Sequence, residues 1–192
     1  SSKELNKRVT DSYEFPNNVL DKIEKPIVTV RTSTYNHGPY IKECIEGILA
    51  QKTDFPFEYI IGEDCSTDQT RKTVLEYASK YPDIIRVITA DYNIGTEANG
   101  LRCRRAARGK YEAICEGDDI WTDPLKLQKQ VDLIEKDKQL IGCYTGHGYI
   151  NEDGSPLERK GKEKGQRLNH TEALESNCPQ TLTLMLRRDS FK

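Results

Sequence analysis

The sequence predicts an α/β fold: a mostly parallel sheet flanked by helices. Two observations predict it. Short β-branched runs alternate with stretches of 3.6-residue apolar period, the pattern of strand–helix units around a parallel sheet. The polar and acidic residues then fall directly after the strand runs, where open α/β sheets bind ligands.

The first strand is Ile27-Val28-Thr29-Val30, followed by the polar run Arg31 to Asn36. Beyond His37-Gly38-Pro39, the residues Ile41, Cys44, Ile45, Ile48 and Leu49 line one face of a helix. A second strand, Phe57 to Ile61, ends at Gly62-Glu63-Asp64. Ser66 or Asp68 can cap the next helix, whose apolar positions include Val74, Ala78 and Tyr81. A third strand covers Ile84 to Ile88, and residues 97–108 read as helix. The fourth strand, Tyr111 to Cys115, ends at Glu116-Gly117-Asp118-Asp119. Pro124 opens a helix with Leu127, Val131 and Ile134 on one face. Ile141 to Ile150 is β interrupted by glycine, and Thr181 to Leu186 is a last short strand. Three parts result: a polar lead-in at 1–25 with at most a peripheral helix, a ligand-binding domain at 26–150, and an acceptor-side region at 151–192. The charged stretch Glu158 to Arg167 is expected to be a mobile loop.

Composition narrows the function. With 29 Lys+Arg against 31 Asp+Glu, no broad positive field recruits nucleic acid. No apolar run approaches the ~18–20 residues of a membrane span. The start has neither a signal peptide's apolar core nor an initiator Met, so Ser1 reads as a cut edge. The six cysteines at 44, 65, 103, 115, 143 and 178 form no C-x-x-C pair, which argues against zinc. They read as reduced thiols, mostly small buried hydrophobes.

Five carboxylates, Glu63, Asp64, Glu116, Asp118 and Asp119, are expected at one sheet edge. So placed they repel, and a divalent cation such as Mg²⁺ or Mn²⁺ would relieve the repulsion. Strand spacing of about 6.6 Å between alternate residues would let Glu116 and Asp118 flank one ion. Acidic residues after strands also serve as plain helix caps. That reading suits Ser66 and Asp68 best, and it suits the loop at 116–119 less, because its helix starts only near Pro124.

These motifs resemble family 2 glycosyltransferases of the GT-A fold, of the bacterial surface-polysaccharide type. Val28-Thr29-Val30 with Thr34-Tyr35-Asn36 is similar to the family's opening strand and turn. Glu63-Asp64-Cys65-Ser66-Thr67-Asp68-Gln69-Thr70 resembles its Asp-Asp-Gly-Ser-x-Asp-x-Thr motif, with Glu and Cys substituted. Asn93-Ile94-Gly95 resembles its Asn-x-Gly. Gly109-Lys110-Tyr111 and Glu116 to Pro124 resemble the Asp-x-Asp region, and Leu125 to Val131 extends the match. The resemblance covers Pro26 to Tyr149.

The resemblance implies roles. Ser33 and Tyr35 line a base pocket, Asp64 accepts a bond from the base ring N–H, and Asp118 faces ribose or metal. Asp118 and Asp119 hold Mn²⁺ or Mg²⁺ across the diphosphate of a nucleotide-sugar, a UDP-sugar first. Arg102 is a phosphate contact or else part of a solvated helix face. Trp121 packs the acceptor side or the core. His37 belongs to the turn, and His147 has no assigned role. The expected reaction is inverting transfer to a saccharide or lipid-linked saccharide, in the cytoplasm or at the inner face of the membrane, with peripheral membrane association of the full-length protein. The family's general base lies on a later segment. Asp189, the one acid in the tail, reads as a helix cap, so the chain is expected to be a donor-binding fragment without its base. Three alternatives remain. A nucleotidyltransferase would want a glycine-rich phosphate loop that 31–37 lacks. A non-catalytic binding module is kept open by the missing base. A phosphatase needs a nucleophilic Asp directly after the first strand, where there is none.

Overall fold

The computed structural model describes residues 2–151, 153–157 and 180–191. The expected mobile loop at 158–167 therefore lies outside the described residues, as does Cys178. The elements are α1 (Ser2–Thr10), β1 (Tyr13–Glu14), α2 (Val19–Lys22), β2 (Val28–Thr34), α3 (Ile41–Leu49), β3 (Phe57–Glu63), α4 (Thr70–Lys80), β4 (Ile85–Thr89), α5 (Thr96–Ala106), β5 (Tyr111–Ile114), α6 (Lys126–Lys136), β6 (Gly142–Tyr144), β7 (Tyr149–Ile150), β8 (Pro156–Leu157) and β9 (Leu184–Arg187).

Seven strands form a mixed sheet in the order β1-β4-β3-β2-β5-β9-β6. Its centre, β4-β3-β2-β5, is parallel, as the strand–helix alternation predicts. The edges are antiparallel: β1 on β4, and β9 between β5 and β6. Glycine-interrupted 141–150 divides in two, because β6 joins the main sheet whereas β7 pairs with β8 in a separate hairpin. Thr181 to Thr183 form a 3₁₀ turn, so the last strand begins at Leu184.

The two faces bury different sets. One core joins Val28, Val30, Tyr59 and Ile61 of the strands to Ile41, Ile45 and Ile48 of α3 and Leu127, Val131 and Ile134 of α6. Those helix positions are the ones the 3.6-residue period selects. Tyr81 is an exception, capping α4 at 41% exposure. The other face packs Ile60 and Ile88 against Cys103 and Ala107 at α5. Five described cysteines are free thiols, and four of them are buried.

β2 and β3 both run two or more residues further than their apolar cores suggest. Arg31 to Thr34 pair with Ile60 to Glu63 in unbroken parallel register. Thr32 and Thr34 are β-branched, and their buried backbone groups are satisfied by the ladder. This register carries Ser33, Thr34, Glu63 and Asp64 to one edge of the sheet.

Candidate functional site

The carboxyl ends of β2, β3 and β5 converge on three loops, at 35–40, 64–69 and 115–124. The first two are tied together. Asn36 accepts from the Thr67 amide (2.9 Å) and gives its own amide to Ser66 Oγ (3.1 Å). Asp68 receives the Gly38 amide (2.9 Å) and the Thr70 amide (2.8 Å). Of the two cap candidates, Asp68 thus serves the start of α4 while Ser66 faces the neighbouring loop. Asn36 and Cys65 sit in the left-handed region at φ 55° and 58°. Asn tolerates that conformation, but Cys is strained there, where the family motif has glycine.

The expected gathering of five carboxylates needs correction. Glu63 is fully buried and accepts from the Ser66 amide (2.7 Å) and Thr89 Oγ1 (3.2 Å), with Arg71 3.6 Å away. Asp64, 2% exposed, holds the Ile94 and Gly95 amides, one on each oxygen at 2.9 Å. Backbone donors and arginines already neutralise this pair, so it does not join the others.

Glu116, Asp118 and Asp119 differ. Asp118 is exposed, and Glu116 and Asp119 are half-buried. The strand ends at Ile114 and a turn follows, closed by the Asp119 amide on the Glu116 carbonyl (3.0 Å). Strand spacing therefore does not apply to Glu116 and Asp118. Burial, then the Asp118 charge, pushes the Asp119 carboxyl above its usual range. Burial, then Asp119, does the same to Glu116, with Arg31 pulling the other way. Gly117 lets this loop approach: a Cβ there would meet His37 Nδ1 at 2.5 Å and Thr34 Oγ1 at 2.6 Å.

Ser33 lies at the tip of β2, its carbonyl taking the Gly117 amide (3.1 Å), and Tyr35 stands 43% exposed beyond it. Arg102 fits neither expectation. It is 3% exposed, and its nitrogens reach Asn99 Oδ1 (2.9 Å), the Glu63 carbonyl (2.9 Å) and Ser12 Oγ (3.2 Å). It braces the end of β3: each of its three nitrogens already donates to the protein, and its burial takes it off the solvated helix face. Trp121 is core, 5% exposed, with Nε1 donating to the Leu182 carbonyl (3.0 Å) and Lys126 Nζ 4.3 Å from the ring centre. Sequence reasoning missed His37 and His147, which both lie near enough to Asp119 to favour its charged form. Their separation by more than a hundred residues leaves no local signal.

Among the described residues no group of three or more His, Cys, Asp or Glu side chains converges to hold a metal unaided. The raised carboxyls of Glu116 and Asp119 beside Asp118 nevertheless fit a cation. Two carboxylates with open positions for phosphate oxygens and water are the usual arrangement for Mg²⁺.

The family model for glycosyl transferase family 2 matches residues 29–192. The chain belongs to that family. An uncharacterized protein of Mycobacterium tuberculosis is 44% identical over 128 residues, 67% of this chain and 37% of that protein. The putative teichuronic acid biosynthesis glycosyltransferase TuaG of Bacillus subtilis is 32% identical over 165 residues, 86% of this chain and 64% of its own length. The chain thus spans between about a third and two thirds of these relatives. Among solved structures, S. aureus TarS 1–349 in complex with UDP superposes with a TM-score of 0.60 at 21% identity, covering 84% of this chain and 46% of that one. The mannosyltransferase PcManGT of Pyrobaculum calidifontis, in complex with GDP-Man and Mn²⁺, gives 0.56 at 24%, covering 74% and 41%. Both have the GT-A fold found here.

Proposed function

We propose that this chain carries the donor site of an enzyme that transfers a sugar from a UDP-sugar to a saccharide or lipid-linked saccharide, with inversion and with a divalent metal. The observation that carries this reading is the loop Glu116 to Asp119, where the half-buried Glu116 and Asp119 carboxyls rise above their usual range beside Asp118, at the edge shared with Ser33 and Tyr35. In this reading Tyr35 stacks on the base, Ser33 bonds its edge, and Asp64 meets the base N–H while holding the loop beside it. Asp118 and Asp119 would hold Mn²⁺ or Mg²⁺, which when bound stabilises charge on the departing diphosphate. Asp118 also faces the ribose. The acceptor hydroxyl needs a general base, and this reading assigns that role to none of the described residues. The bound state of PcManGT and the UDP of TarS support the choice of ligands. An acceptor assembled in the cell envelope would place the full-length protein in the cytoplasm, at the membrane's inner face.

Calorimetric titration with UDP, GDP and ADP, each with and without Mn²⁺, tests the proposal. It expects UDP to bind at least tenfold more tightly than ADP, and only with metal; a buried acceptor left unpaired costs roughly that much. Equal binding of all three, or no effect of metal, would contradict it.

A further inference from the structure

Residues 2–14 precede the matched region, which begins at residue 29. They nevertheless enclose the loop after β4, which Asp64 at the edge of the candidate site holds by two amides. Leu5 and Val9 of α1 pack on Ala90, Ile94 and Ala98, and β1 pairs with the end of β4. Tyr92 donates to Asp11 (2.7 Å), Tyr13 donates to Asp91 (3.1 Å), and Ser12 receives Arg102 (3.2 Å). The contact that singles out the loop is Arg8, whose Nη1 donates to the Ile94 carbonyl at 2.9 Å.

The Ile94–Gly95 segment is therefore gripped from two sides. Asp64 takes the amides of both residues, and Arg8 takes the carbonyl between them. Gly95 is held at φ 87°, a conformation side-chain-bearing residues rarely adopt. Arg102 Nη2, 3.8 Å from Asp64 Oδ1, keeps the carboxylate in place. A peptide in a special conformation persists when its surroundings over-determine it, and here a guanidinium and a carboxylate do so.

We infer that Arg8 is a positioning residue for nucleotide binding: with Asp64 it fixes the Ile94–Gly95 loop against the end of β3, and so sets affinity for a nucleoside diphosphate. The inference rests on the donor-site reading above. Arg8 touches no reacting atom; it acts through the loop. Without it the Ile94 carbonyl turns to solvent and the loop samples other conformations, so binding must first select the held one.

The test pairs hydrogen exchange with UDP titration in Mn²⁺, on the whole chain. Arg8→Ala should speed exchange of the Ile94 and Gly95 amides and weaken UDP, each roughly tenfold. Arg8→Lys should restore part of both, since an ammonium still donates. Arg105→Ala is the control: it removes a bond from α5 to α1, at Asn6 Oδ1 (2.6 Å), without touching the loop. It should leave both readings unchanged. Unchanged exchange in Arg8→Ala, or an equal effect from Arg105→Ala, would overturn the inference. If the unaltered protein binds no UDP while Arg8 still governs exchange, the donor-site reading is what fails, and with it the link from loop to nucleotide.

Discussion

Two acidic pairs stand at the ends of two parallel strands, β3 and β5, that flank β2; they read alike in the sequence, yet they have opposite environments. Glu63 and Asp64 are buried; Glu63 accepts one backbone amide and a hydroxyl, Asp64 accepts two amides, and each has an arginine near it. Asp118 and Asp119 stand on a turn next to Glu116; Asp118 is exposed, and for Asp119 and Glu116 burial and mutual repulsion outweigh the donors and cations near them. The lesson is that a carboxylate's role follows from the donors around it. A carboxylate whose donors outweigh its burial holds the fold together, whereas one whose burial and repulsion outweigh them has affinity left for a cation.

The largest effect that could break this comparison is Asp64→Asn. An amide cannot accept from both the Ile94 and Gly95 amides, so one buried N–H loses its partner and the Arg102 attraction disappears. A loss of about 3 kcal/mol in urea unfolding is expected. A change below about 0.5 kcal/mol would mean that the first pair is not structural.

Gly117→Ala should follow at about 1–3 kcal/mol, because its methyl would meet the His37 ring and Thr34. The turn must then move, so metal binding should weaken along with stability. Intact Mn²⁺ affinity would show that the loop's close approach is dispensable.

Lys126 sharpens the comparison with a buried charge of the opposite sign. Burial pulls its amine down to about 8, with Gln130 Oε1 as partner at 2.6 Å. Its folded value lies below its unfolded one, so between about 8 and 10.5 only the unfolded chain is protonated. Stability should rise with pH across that window and carry the full penalty below it. Lys126→Met should gain about 1–2 kcal/mol at pH 7, less than the shift implies because Gln130 loses its partner. The gain should fade by pH 10, which chemical unfolding at both pH values would reveal; an equal gain at both would refute the assignment.

The smallest effect is expected for Cys65→Gly. It removes left-handed strain beside the first pair at the expense of a more flexible unfolded chain, for a net gain of up to about 1 kcal/mol. A lower melting temperature would show that the Cys65 side chain has a packing role that outweighs its strain.

Much of the fold was legible because it is local. The faces of α3 and α6 and the parallel centre of the sheet follow from periodicity within a dozen residues. The edges were not: β1 has two residues, and its pairing with β4 joins positions more than seventy apart. The polar half of β2 reads as loop until β3 lies beside it, because only the ladder satisfies its backbone. In the site, sequence placed Ser33, Tyr35, Asp118 and Asp119 at one edge, since strand ends dictate it. It could not separate Asp64 from Asp119, nor foresee the bracing by Arg8 and Arg102, because these depend on donors that only the folded chain brings near.

Thermal unfolding with and without Mn²⁺ and UDP, on the unaltered chain and on Asp119→Asn, tests the central claim most directly. Binding to the folded state should raise the unaltered protein's melting temperature by several degrees at a hundredfold excess over Kd. Asp119→Asn removes a charge the fold holds unfavourably, so alone it should melt no lower than the unaltered chain, yet gain nothing from Mn²⁺ and UDP. An equal rise in both proteins would contradict the account, because it would place the cation away from the loop at Glu116 to Asp119.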